Sequence, residues 1–112
     1  MKRDLGPKDL IFPAPVLIVG TYGEDGTPNA MNVAWGGICS SVPPAVAISI
    51  RETRKTFANL QAKGAFTVAI ATEELMVQAD YVGLVSGSKG NKLEKAGLRT
   101  VKSEHVDAPV LQ

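Results

Sequence analysis

The stretch Asn29-Ala30-Met31-Asn32-Val33-Ala34-Trp35-Gly36-Gly37 brings together two amide side chains, an indole and two adjacent glycines. Asn29 and Asn32 each offer hydrogen-bond donors and an acceptor. Trp35 presents a broad apolar face that can stack on or shield a planar ring. Glycine removes the side chain, so backbone N–H and C=O groups can come up to the edge of a ligand. Together these groups suit a planar heterocycle whose rim alternates donors and acceptors. The same residues also describe a surface hairpin with a core tryptophan and a glycine bulge, and composition alone favours that plainer reading.

A second cluster, Arg51-Glu52-Thr53-Arg54-Lys55-Thr56, stands at the start of an expected helix. Basic side chains, hydroxyls and free backbone N–H groups converge there, a combination that binds phosphate on electrostatic grounds. A solvated helix entry capped by Thr53 is an equally good account of it. The third cluster, Ser86-Gly87-Ser88-Lys89-Gly90, can fold over a phosphate or a polyol chain, but Gly/Ser loops are common and this signal is the weakest. Other residue types offer less. His105 is the sole histidine, which excludes a multi-histidine metal site, and no metal is assigned. Cys39 has neither a CxxC partner nor a base beside it and reads as a buried, inert thiol. Glu73 and Glu74 are explained by a helix start. Gly36, Gly37 and Gly83 do not make a Rossmann or P-loop pattern, and Met31 and Met76 read as core filler. No side chain is assigned as a catalytic acid, base or nucleophile.

The elements that must position these clusters are short. Residues 1–14 hold prolines and no periodicity, and read as an extended arm lying on the domain. Residues 16–22 are a β-branched apolar run, hence a buried strand. Asp25-Gly26 marks a hairpin turn, and residues 29–38 form the returning strand, interrupted at Gly36-Gly37 by a bulge or a close backbone approach. Cys39-Ser40-Ser41 with Pro43-Pro44 forms a corner, and residues 45–50 form a third strand. A helix runs from about 55 or 56 to 63, with Gly64 as its stop. Residues 66–71 form a fourth strand. Thr72 caps a second helix beginning at Glu73-Glu74, with Leu75, Met76, Ala79 and Val82 towards the core. Leu93-Glu94-Lys95-Ala96 is a helical turn closed by Gly97, and residues 98–101 form a last short strand. The pattern is mainly β with inserted helices, a small barrel decorated by helices, in a single domain covering residues 1–112.

Composition narrows the function. The chain has 112 residues, 45% hydrophobic and 21% charged, as expected of a soluble globular domain. Twelve basic residues against 11 acidic ones leave a net charge of +1, and aromatics are only 5%, so neither the basic face nor the stacking platforms of a nucleic-acid binder are present. No apolar stretch is long enough to span a bilayer and the N-terminus lacks the apolar core of a secretion signal, so no membrane partner is expected. One cysteine excludes an intrachain disulfide, and the expected location is the cytoplasm.

Several stretches share more than composition with a known family. Pro15-Val16-Leu17-Ile18-Val19-Gly20-Thr21, then Pro28 through the Asn/Trp/Gly strand to Ile38-Cys39-Ser40-Ser41, and Pro43-Pro44 closely resemble flavoredoxin and the wider flavin-reductase-like family. So do Arg54-Lys55-Thr56, Ala79-Asp80-Tyr81-Val82-Gly83-Leu84-Val85-Ser86-Gly87, Lys92-Leu93 and Ala96-Gly97-Leu98. The resemblance covers almost the whole chain in order and spacing. It implies an FMN-binding split β-barrel working as a homodimer, with the flavin near the subunit interface. By that resemblance Asn29, Ala30, Met31, Asn32 and Trp35 lie along the isoalloxazine and ribityl side, and Ser40 and Ser41 bond the ribityl chain or flavin edge. Arg54, Lys55 and Thr56 hold the phosphate, with Ser86 and Lys89 as weaker contributors. It also implies NAD(P)H or a redox protein as partner, and either flavin reduction or electron relay through retained FMN. Members of the family continue beyond Ala108-Pro109-Val110-Leu111 with further barrel strands, so the resemblance implies a barrel incomplete at the C-terminus. Exposed strand edges then invite dimerisation or aggregation. The alternative expectation is a truncated split-barrel module that dimerises without flavin or catalysis.

Overall fold

The computed structural model describes the backbone of all 112 residues and every side chain except that of Lys89, which lies outside the described residues. Strand β1 (Leu17–Tyr22) is central in a three-stranded antiparallel sheet of order β2-β1-β5, with β2 spanning Pro28–Val33 and β5 Thr67–Ile70. Its unbroken apolar run is explained by burial on both faces. Ile18 packs on one side with Ala30, Ala79, Val82 and Leu93, while Leu17 and Val19 pack on the other with Val33. The β1–β2 turn closes as its Asp-Gly signal predicts. The Gly26 N–H donates to the Gly23 carbonyl at 2.9 Å, and Gly26 takes φ 83°, where a side chain is strained.

The expected single strand over residues 29–38 is two strands in different sheets. The chain leaves the first sheet at Ala34 and Trp35 and re-forms as β3 (Gly36–Ser41), which pairs with β4 (Pro44–Ile48) in a separate hairpin with an irregularity between Ile38 and Ser40. The Ser49 N–H donates to the Trp35 carbonyl at 2.8 Å and holds this crossing. The close approach signalled by the paired glycines is made by the protein itself. A Cβ on Gly36 would sit 3.0 Å from Leu17 Cδ1 and 3.1 Å from the Ala47 carbonyl oxygen.

Helix α1 (Lys55–Lys63) ends at Gly64 as expected, with φ 65° and its N–H on the Leu60 carbonyl. The second helix begins later than its sequence suggests. Glu73–Leu75 form a 3-10 turn, Thr72 makes no side-chain cap, and α2 runs Met76–Leu84. Of the four residues expected to face the core, Ala79 and Val82 are buried, Leu75 is half-buried and Met76 is exposed. A second 3-10 turn (Gly87–Lys89) leads to α3 (Lys92–Ala96), where the Asn91 side chain accepts from the Glu94 N–H. Strands β6 (Thr100–Lys102) and β7 (Pro109–Leu111) form a hairpin beside β1 and β5, tied to β5 by the Thr67 hydroxyl donating to the Pro109 carbonyl. Among the described residues the strands form three small sheets and close no barrel. No helix among them is long and apolar enough to cross a membrane.

Candidate functional site

Strand alternation distributes the candidate residues. Side chains two apart in a strand share a face and side chains three apart do not. Asn29, Met31 and Val33 therefore point to the face of the sheet on which α1 packs, while Ala30 and Asn32 point to the face covered by α2. The hydrogen bonds agree. Asn29 Nδ2 donates to Thr56 Oγ1 on α1 at 3.1 Å, and Asn32 Nδ2 approaches the Ala79 carbonyl on α2 at 3.4 Å. Ala30 is sealed in the core.

Two hollows meet on the α1 side. The open one, about 140 Å³, is lined by residues 31–35, Ser49, Ile50, Arg51 and Arg54. Trp35 is 44% exposed at its rim, and the Arg51 guanidinium lies 5.3 Å from the centre of the indole, a cation–π distance. The closed one, a tight crevice of about 10 Å³, is lined by Asn29, Met31, Arg54, Lys55, Thr56, Ser86 and Lys92, with the end of α2 behind them. Met31 and Arg54 belong to both, so the hollows adjoin.

The closed hollow is cationic. Arg54, Lys55 and Lys92 converge in it and no carboxylate lines it. The ion pairs among the described residues, Lys63 and Lys102 with Asp107, lie elsewhere. Lys92 is 4% exposed and donates to the Val82 and Val85 carbonyls at 2.9 and 3.0 Å, leaving its third hydrogen free. Desolvation, and secondarily the Arg54 charge, push its pKa down from 10.5 to about 8. The first turn of α1 has no side-chain cap, so the Lys55 and Thr56 N–H groups are free to donate as well. One buried and two half-buried cations, together with free backbone donors, fit a dianion such as a phosphomonoester.

Lys92 enters the family resemblance but carries no site role there. Its signal was a lone lysine beside Leu93, at a helix start where cations are disfavoured. Ser86 lines the closed hollow, whereas Lys89 lies outside the described residues. Ser40 and Ser41 sit on the β3–β4 hairpin and line neither hollow, because the chain crosses to another sheet after Trp35. Cys39, expected to be buried, is exposed on the same hairpin, since no element among the described residues covers that face.

Residues 10–112 match the family described as the flavin reductase like domain. The chain belongs to that family. Flavoredoxin of Desulfovibrio vulgaris (Miyazaki F) is 43% identical and superposes with a TM-score of 0.93 over 99% of this chain and 61% of its own. Flavoredoxin from Methanosarcina acetivorans is 26% identical, with a TM-score of 0.88 over 100% of this chain and 59% of its own. An uncharacterized protein of Archaeoglobus fulgidus is 34% identical over 85 residues, 76% of this chain and 48% of its own length. This flavin-reductase-like chain spans about half the length of the curated relatives it matches. Its structural neighbours are split-barrel, flavin-reductase-like folds.

Proposed function

We propose that the chain binds FMN and serves as a flavin reductase or a flavoredoxin-like electron carrier. The observation that carries this reading is the closed hollow with three cations and no carboxylate, continuous with an open hollow edged by Trp35. The phosphate sits at the mouth of the closed hollow with one oxygen reaching into it, held by Arg54, Lys55, Lys92 and the N–H groups of the first turn of α1. The ring lies in the open hollow against residues 31–35, with Trp35 and Arg51 at its rim. A bound flavin supplies the redox chemistry, and the protein contributes position and electrostatics. Arg54 reaches both hollows and so orients the tail relative to the ring. No side chain needs to act as acid or base.

The active form is a homodimer in the cytoplasm, with NAD(P)H or a redox protein as electron partner. The β3–β4 hairpin supports the dimer. It carries Ile38 at 76% and Val42 at 90% exposure, beside Val46, an apolar patch of the kind that marks an interface. The visible spectrum of the purified chain, with and without added FMN, tests the proposal. Flavin bands shifted by binding are expected. Tight dimerisation with no bound flavin would replace this reading with that of a module that dimerises without cofactor.

A further inference from the structure

We infer that Asn29 is a positioning residue, which acts on the bound phosphate through Thr56 rather than by contact. The inference rests on the phosphate assignment above. Thr56 is 1% exposed and lines the closed hollow beside Arg54, Lys55 and Lys92. Its hydroxyl has one hydrogen to give and lone pairs to receive. Asn29 Nδ2 occupies a lone pair at 3.1 Å, which turns the hydroxyl hydrogen away from the amide. No hydrogen bond among the described residues takes that hydrogen. A buried O–H group is thus left without an acceptor in a hollow already lined by cations, and a phosphate oxygen supplies the acceptor.

Two further observations support this role. The backbone at Gly87 packs against the Oδ1 side of Asn29, where a Cβ would overlap that oxygen, so packing also confines the amide. One turn further along α1, Asn59 Nδ2 donates to Thr21 Oγ1 at 3.0 Å, likewise buried. That pair lines neither hollow and serves packing alone, which makes it an internal control.

The test compares the affinity for FMN with that for riboflavin, which has the same ring and no phosphate, by flavin fluorescence in the full chain. Thr56→Val is expected to lower the preference for FMN roughly 10- to 100-fold, the range for a hydrogen bond to a charged group. Asn29→Ala is expected to lower it roughly 2- to 10-fold, and to lower it no further when Thr56→Val is already present. Asn29→Asp keeps the shape but makes residue 29 an acceptor for the Thr56 hydrogen, and is expected to abolish most of the preference. Asn59→Ala is expected to lower stability and leave the preference unchanged. A preference kept intact in Asn29→Asp, or effects of Asn29→Ala and Thr56→Val that simply add, would overturn the positioning role while leaving the phosphate assignment standing. Wild-type protein that binds riboflavin as tightly as FMN would overturn both.

Discussion

Above pH 8 the affinity for FMN is expected to fall while that for riboflavin holds, because of Lys92. In the unliganded protein its ammonium is pushed down to about 8 by desolvation and by Arg54. A bound phosphate dianion beside Arg54, Lys55 and Lys92 restores the charged form, so binding above pH 8 requires uptake of a proton. At pH 9 only about a tenth of the unliganded molecules carry the charge, so FMN should bind about tenfold more weakly than at pH 7. Lys92→Arg, whose guanidinium stays charged, should flatten the profile.

The same group sets a sign for stability. Its pKa in the folded chain lies below the ordinary 10.5 of the unfolded chain, so the folded state holds fewer protons between pH 8 and 10.5. Stability without ligand therefore rises with pH across that window. The charged ammonium below it costs about 2–3 kcal/mol once solvent screening at the mouth of the hollow is allowed for. Fluorescence titrations of both flavins from pH 7 to 9, with urea unfolding of the ligand-free protein at the same pH values, read out the two effects. An equal fall for FMN and riboflavin, or a flat FMN profile in the wild type, would refute the reasoning.

Arg54→Ala should weaken FMN roughly 10- to 100-fold, while Lys102→Ala, on an exposed lysine 3.8 Å from Asp107, should leave it within experimental error. Equal affinities in the two variants would remove Arg54 from the phosphate site. Gly87→Ala forces a methyl group onto Asn29 Oδ1 and to 3.2 Å from Lys55 Cγ. The loop must retreat, and a roughly tenfold loss of FMN affinity is expected from overpacking of this size, with the far-UV circular dichroism unchanged. Ile38→Glu places a charge in the apolar hairpin of both protomers. Sedimentation should show self-association weakened by roughly a hundredfold or more, and an unchanged dimer would move the interface elsewhere.

The local grammar of the chain was legible. The run Leu17-Ile18-Val19, the Asp25-Gly26 turn and the stop at Gly64 placed β1, the β1–β2 hairpin and α1 without tertiary information, because apolar runs, turn residues and helix stops act on neighbours in sequence. The cationic helix entrance at residues 51–56 could be read for the same reason, since a helix start brings its own N–H groups and charges. What the sequence left open was decided by contacts between distant segments. Asn29 and Asn32 looked like one amide cluster, yet strand alternation sends them to α1 and α2 respectively. Residues 29–38 read as one strand leading into a corner at Ser40 and Ser41, yet the crossing held by Trp35 and Ser49 starts a second sheet at Gly36 and carries both serines away with it. Lys92 looked like an ordinary helix lysine until the end of α2 enclosed it and Arg54 came to face it. Burial and like-charge opposition are properties of the packed chain, and they make an isolated lysine part of a cationic hollow.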